Sequence, residues 1–208
     1  MVCVDHYYVF CRPGAPERLH LIDAGFAVGA RRRHAGQGTE NVCFGFGDSY
    51  LELIWICDDA EARAPEVARL QLAERSAWRD QPNSPFGICL NLTPDEPAPF
   101  VSRPFCPDYL PDGVRFDLSE EHGDARQPLL FALDRPRPTF DPEHPLAAAD
   151  LRELHITVPD LPADSALRTL DVPGLRVEDG QQHLMEVRLG DGDRELDLRP
   201  ELPLVLRW

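Results

Sequence analysis

The chain has 208 residues, 43% hydrophobic and 27% charged, enough to bury a core as one domain or two small halves, which excludes a stapled peptide scaffold. Acidic residues number 36 against 21 basic ones, a net charge of −15, so the surface repels phosphates and a nucleic-acid partner is not expected. Every cation is an arginine; without a lysine amine, neither Schiff-base chemistry nor a Walker-type phosphate loop can be built.

Residues 2–10 read as a strand containing Asp5 and His6, broken at Arg12-Pro13-Gly14 before a short helix over 15–24. No basic segment followed by an apolar stretch precedes it, so no signal peptide is read. No apolar run approaches the roughly 18 residues of a membrane span. The six cysteines, Cys3, Cys11, Cys43, Cys57, Cys89 and Cys106, show neither a C-x-x-C pair nor zinc-finger spacing. The expectation is a cytoplasmic protein with reduced thiols and no membrane partner.

Residues 26–33 read as a second strand, 35–38 as a Gly-rich loop, and 41–46 with 50–56 as a hairpin around Gly47-Asp48-Ser49. Asp58 and Asp59 cap a longer helix with Val67, Leu70, Ala73, Ala77 and Trp78 on one face, which Pro82 and Pro85 end. Beyond it, Pro-rich connections separate strand-like runs at 86–92, 114–118 and 129–133. From residue 151 the opening order returns: strand 153–158, helix 164–170, a break at Val172-Pro173-Gly174, then strands 175–178, 183–189 and 195–198. The chain thus divides into a βαβββ unit at 1–60, a helix plus strand-bearing, Pro-rich middle segment at 61–145, and a second βαβββ unit at 146–208. The fold class is α+β, and because one unit leaves a sheet face uncovered, units must pair.

Overlaying the copies sets Val4-Asp5-His6-Tyr7-Tyr8-Val9 on Glu153-Leu154-His155-Ile156-Thr157-Val158, and Gly47-Asp48-Ser49-Tyr50-Leu51-Glu52-Leu53 on Gly192-Asp193-Arg194-Glu195-Leu196-Asp197-Leu198. A histidine on the first strand and a carboxylate on the last recur. Alternation gives Leu51 and Leu53 one face and Tyr50, Glu52 and Ile54 the other. Sheets facing each other would gather His6, His155, Glu52 and Asp197, and imidazole with carboxylate suits a divalent first-row metal with open positions. The plainer readings are packed, hydrogen-bonded histidines and, for Asp197 between Glu195 and Arg199, a solvated acid. Glu52 lies in a strand too apolar for simple exposure, and a buried carboxylate needs a partner.

In His34-Ala35-Gly36-Gln37-Gly38-Thr39-Glu40-Asn41, two glycines admit a ligand close to the backbone while His34, Thr39 and Asn41 offer donors and acceptors; alternatively the glycines only satisfy positive φ. Arg31-Arg32-Arg33 is the one basic run. Its members alternate faces, so one or two could attract an anionic substrate, or all could pair with surplus carboxylates. No G-x-S-x-G elbow occurs, and nothing assigns Cys43 or Cys57 a catalytic base.

Val4-Asp5-His6, His34-x-Gly36-x-Gly38-Thr39-x-Asn41 and Gly47-Asp48-Ser49-Tyr50-Leu51-Glu52-Leu53-Ile54 together resemble the glyoxalase-like domain of the vicinal-oxygen-chelate superfamily. The resemblance covers residues 1–56, continues more weakly through Ser102-Arg103, Pro111-Asp112-Gly113 and 128–133, and returns at 151–199. It implies paired βαβββ units in a cupped mixed sheet around a small-molecule pocket, which in many members holds a divalent metal, here Fe, Mn, Ni or Zn, and no organic cofactor. By position it implies His6, Glu52, His155 and Asp197 as metal ligands; the reading of the residues adds Glu52 and His34 as expected catalytic residues, and His34, Thr39, Asn41 and Tyr50 as expected ligand-binding residues. The activity it implies is that of a metal-dependent lyase, isomerase or dioxygenase acting on vicinal oxygens; the alternative is a metal-free binding or sequestering protein of the resistance type, walled by Tyr8, Phe44, Phe46 and Tyr50. Members often complete a site across a homodimer, which extends that expectation to this chain. One alternative stays open: if the middle segment pairs with residues 1–56, its strands bring no histidine or acid, and His6 and Glu52 form half a site.

Overall fold

A computed structural model of the chain describes residues 1–93, 96–110, 114–136 and 149–208; Pro111-Asp112-Gly113 lies outside the described residues. β1 (Cys3–Phe10), α1 (Arg18–Asp23), β2 (Arg31–His34), β3 (Thr39–Phe46) and β4 (Ser49–Ile56) follow the expected order. Three short helices, α2 (Asp59–Ala62), α3 (Pro65–Ala68) and α4 (Leu72–Ser76), stand where one longer helix is predicted. Ala64, with ψ 144°, breaks the run because a proline ring disfavours helical backbone in the residue before it. Gln71, at φ 52°, breaks it again.

β5 (Phe86–Leu92), β6 (Ser102–Phe105), β7 (Phe116–Ser119) and β8 (Leu129–Asp134) join β1 to β4 in an eight-stranded sheet of order β2-β3-β4-β1-β5-β8-β7-β6. Its halves mirror each other across the antiparallel β1–β5 pair, and in each half the first strand runs parallel to the last. The middle segment therefore supplies the half that faces residues 1–56, although no helix lies between β5 and β6 among the described residues.

The C-terminal residues form a separate sheet. β9 (Leu151–Val158), α5 (Ala166–Thr169), β10 (Leu175–Asp179), β11 (Leu184–Leu189), β12 (Glu195–Asp197) and β13 (Leu204–Arg207) give the strand order β10-β9-β11-β13-β12. The expected succession β-α-β-β-β is present, but not the pairing of the first unit. β9 lies between β10 and β11, and β13, formed by the apolar run Leu204-Val205-Leu206, inserts beside β12 and leaves it at the edge.

Alternation decides what each face does. Tyr7, Val9, Leu51 and Leu53 join Leu154, Ile156, Val158, Met185, Val187 and Leu206 in one continuous core, so the five-stranded sheet covers the back of the larger one. Each fully buried leucine or isoleucine there contributes about 1.5–3 kcal/mol. Phe44 and Phe46 lie in this core rather than walling a pocket. His6, Tyr8, Tyr50, Glu52 and Ile54 face the other way, onto a cavity. No helix among the described residues is long and apolar enough to cross a membrane.

Candidate functional site

The cavity has a volume of about 880 Å³ and is lined by both halves of the large sheet. Its two walls differ. The first half contributes His6, His34, Asn41, Tyr50 and Glu52, while the second contributes Leu118, Leu129, Phe131 and Leu133, with Leu70 and Leu72 from the helical segment.

In a regular strand Asp5 and His6 would face opposite sides. The β1–β5 register shifts between Val4 and His6, and such an irregularity re-aims a side chain: Asp5 Oδ1 accepts from His6 Nδ1 at 2.7 Å. Asn91 Nδ2 donates to Asp5 Oδ2 at 3.0 Å, Arg135 Nε to the same oxygen at 3.2 Å, and Arg135 Nη2 to Oδ1. Arg135 Nη2 also donates to the Tyr50 hydroxyl oxygen at 2.8 Å, and the Tyr50 ring stacks on His6 with centroids 4.7 Å apart. With Nδ1 committed to a carboxylate, Nε2 is the nitrogen His6 can offer to a ligand.

Burial acts to raise the Asp5 carboxyl, but hydrogen bonds and charge from His6 and Arg135 outweigh it and hold the group at about 2. A depressed acid stabilises the fold above its unfolded value, near 3.8, and that contribution disappears as pH falls through the folded value. Between about pH 4 and pH 2 the wild type should therefore lose about 2 kcal/mol that Asp5→Asn does not. Urea unfolding across that range measures the difference; parallel curves for the two proteins would remove Asp5 as the source.

His34 Nδ1 lies 2.9 Å from Thr39 Oγ1. Thr39 donates its single proton to Gln37 Oε1 at 2.6 Å, so its oxygen accepts and Nδ1 carries the hydrogen, leaving a lone pair on Nε2. Burial lowers the His34 imidazole from its ordinary value, against the pull of Glu52, which favours the neutral ring. Thr39 is fully buried and does not line the cavity. The expected ligand-binding residue instead holds His34 in place.

Gly36 and Gly38, at φ +82° and +77°, donate their N–H groups to Glu61 Oε2 at 2.9 and 3.1 Å. A Cβ on Gly38 would sit 2.3 Å from the Asp58 carbonyl oxygen. These glycines thus serve the α2 carboxylate, not a ligand.

Glu52 is only 7% exposed and has Tyr8 and Cys43 as cross-strand neighbours. Cys43 Sγ, at 3.9 Å, is a thiol that burial and then Glu52 push up, so it stays a protonated donor. No guanidinium or imidazole bonds Glu52 among the described residues.

The structure separates the expected metal ligands. Leu154 and Ile156 enter the core, which turns His155 outward between Glu178 at 2.9 Å and Glu186 at 3.3 Å. Asp197, on the sheet edge, pairs with Arg199 at 2.6 Å, and its carboxyl is held down at about 2 by that arginine. Neither lines the cavity, whose second wall is Leu129, Phe131 and Leu133 of β8; the buried Cys89 of β5 stands beside His6 in the strand register. Among the described residues, three donor atoms lie within 4.8 Å of one another only at Asp5, His6 and Cys89. Those residues suit a cation poorly. Both Asp5 oxygens already accept hydrogen bonds, the Arg135 guanidinium stands in the cation's place, and burial raises the Cys89 thiol.

Sequence reasoning missed Asp5, Asn91 and Arg135 as a unit, because the shift in strand register that unites them leaves no compositional trace. It also missed the apolar wall, although 129–133 is readable as a strand.

A model of the glyoxalase-like domain family matches residues 4–98, from β1 past β5. Residues 4–98 are thus similar to a glyoxalase-like domain. The fold of the chain is shared, at 12% identity and a TM-score of 0.55, with the crystal structure of a hypothetical protein from Staphylococcus aureus, covering 100% of this chain and 99% of that one. A hypothetical protein from Bacillus halodurans is similar over 67% of this chain and 99% of its own, at 12% identity and a TM-score of 0.41. A methylmalonyl-CoA epimerase in complex with methylmalonyl-CoA and ammonium is similar over 64% and 94%, at 16% identity and a TM-score of 0.40. No curated protein sequence matches the chain.

Proposed function

We propose that this glyoxalase-like pocket binds a small carbonyl compound and that Glu52 is the general base that takes a proton from the carbon beside the carbonyl, an isomerase or lyase reaction. One observation carries the reading: a carboxylate is buried on the cavity face of an apolar strand with a thiol, not a cation, against it. A carboxylate so placed faces the cavity with no cation bonded to it among the described residues, and its oxygens can accept a proton from a molecule held there. Neutral His34, through Nε2, can accept the same proton or orient a substrate hydroxyl, and Asn41 offers amide donors. Arg135, bonded to the Tyr50 oxygen, puts guanidinium charge beside the polar wall and favours negative charge developing on the substrate oxygen.

The test is deuterium exchange at the α-carbon, followed by NMR in heavy water over a panel of carbonyl compounds, for the wild type and Glu52→Gln. Exchange unaffected by the substitution would sink the proposal. Ligand binding with no exchange in either protein would favour the sequestering role.

The second reading is a metal-dependent lyase, isomerase or dioxygenase, for which the described residues offer only the ill-suited Asp5, His6 and Cys89 cluster. Because Arg135 competes for Asp5, adding Zn, Mn, Ni or Fe(II) to chelator-treated protein should change neither the melting temperature nor the exchange rate. A stoichiometric gain lost in His6→Ala would put the metal reading first.

A further inference from the structure

We infer that the ligand of this cavity is a carboxylate with an apolar body, its anionic end held by Arg32 and Asn41. The inference rests on the small-molecule reading of the cavity and is independent of the proton-transfer step.

On a chain of net charge −15, the charged side chains lining the cavity are Arg32, Arg33 and Arg135 against the single acid Glu52. A cation that keeps no acid partner at this opening would draw an anion that the rest of the acidic surface repels. Two of the three arginines are committed: Arg33 to Glu61 at 3.0 Å and Asp58 at 3.5 Å, and Arg135 to Asp5. Arg32 has no ion pair or side-chain hydrogen bond among the described residues.

Arg32 stands directly opposite Asn41 in the β2–β3 register. Its backbone N–H donates to Asn41 Oδ1 at 3.2 Å, which occupies the amide oxygen and leaves the two amide N–H donors unused among the described residues. A guanidinium beside an amide NH₂ is a set of donors without an acceptor, matched to the two oxygens of a planar carboxylate. Phosphate is served less well, because the nearby Gly36 and Gly38 N–H groups are taken by Glu61.

Asn41 pairs with Ile54, one alternation beyond Glu52 on β4, and residues two apart on a strand are separated by about 7 Å. An anion held at Arg32 thus stays off the Glu52 carboxylate. The remainder of the ligand meets the wall of Leu118, Leu129, Phe131 and Leu133, which offers it no charge.

The experiment is isothermal titration of 2-naphthylacetate, its primary amide and the corresponding amine into the wild type, Arg32→Gln, Arg188→Gln and Glu52→Gln. Arg188 is exposed on β11, and its replacement makes the same charge change away from the cavity. The wild type should bind the acid at least about tenfold more tightly than the amide, with the amine weakest. Arg32→Gln should lose that preference while amide affinity holds, Arg188→Gln should keep it, and Glu52→Gln should bind the acid at least as tightly as the wild type. Equal affinity for acid and amide, an acid preference that survives Arg32→Gln, or no saturable binding of any of the three at millimolar concentration would overturn the inference. Acid preference without α-proton exchange defeats only the proton-transfer reading, and exchange on neutral carbonyls without acid preference defeats only this one.

Discussion

Arg75→Met should destabilise the protein by about 3–5 kcal/mol, the scale seen when a buried, hydrogen-bonded charge is removed, and lower the melting temperature by roughly 10 °C. Arg75 is fully buried and has no carboxylate partner among the described residues. Its guanidinium instead gathers backbone carbonyls: Leu70 through Nε at 3.2 Å, Ala125 at 3.4 Å and Gln127 through Nη1, and His122 and Asp124 through Nη2, both at 3.2 Å. Burial lowers its pKa, so the carbonyl dipoles must offset much of the desolvation. Methionine fills much of the volume but orphans those carbonyls, and each one that stays buried costs about 1–3 kcal/mol. Lysine keeps the charge with three donors on one atom and cannot span the ring, so Arg75→Lys should recover less than half the loss. Urea denaturation with an unchanged m-value would confirm the loss as native-state stability. A loss under about 1 kcal/mol for Arg75→Met would mean that water replaces the guanidinium and that the connection into β8 holds without it.

That connection matters to the cavity. Arg75 ties α4 to the residues leading into β8, and these two segments carry Leu72, Leu129, Phe131 and Leu133 of the apolar wall. Arg75→Met should therefore weaken ligand binding even where the protein remains folded, through the wall and not through any polar contact.

What the sequence revealed followed side-chain period. The split of Leu51 and Leu53 from Tyr50, Glu52 and Ile54 is visible in eight letters and places Glu52 on the cavity face, because period-2 alternation is a local property. His6, singled out by the repeat and not by alternation, was legible as a residue facing the cavity. Its supposed partner His155 was not, since the likeness between 4–9 and 153–158 is one of local strand pattern, and which strands then pair depends on contacts far apart in sequence. β9 has its apolar residues at the even positions 154, 156 and 158, and these cover the back of the large sheet, so the repeat that suggested a shared site instead turns His155 away from it. Asp197 failed through β13, whose insertion makes β12 an edge strand. The break before Pro65 was written in the sequence and needed only the rule that proline restricts its predecessor.

The divergence of the two halves gives the site its character. One architecture, used twice in the large sheet, places His6, His34 and Glu52 on one wall and leucine and phenylalanine on the other, so on the proposed reading a bound molecule would meet a reacting edge and an inert one. Apolar surroundings strengthen each charge interaction there, so on that reading Glu52 and Arg32, which has no ion pair among the described residues, would suffice to define the reacting edge.

Glu52→Gln should lower the rate of α-proton exchange by about 10²–10⁴-fold, the usual contribution of a positioned general base, and should leave the protein as stable as the wild type or more so. The two outcomes belong together. Glutamine keeps the shape and can still accept from Cys43, but it removes a buried carboxylate that no cation pairs among the described residues, so the fold is relieved of a charge while the reaction loses its proton acceptor. Glu52→Asp retracts the carboxylate by one methylene while retaining its charge, and a displacement of about 1 Å at a reacting atom costs about 10²-fold. The expected order of exchange rates is wild type, then Glu52→Asp, then Glu52→Gln, whereas stability should be highest in Glu52→Gln. Exchange rates by NMR together with thermal melts of the same samples decide the matter. A structural carboxylate would show the reverse pattern, with Glu52→Gln losing stability and both variants retaining whatever exchange the wild type supports.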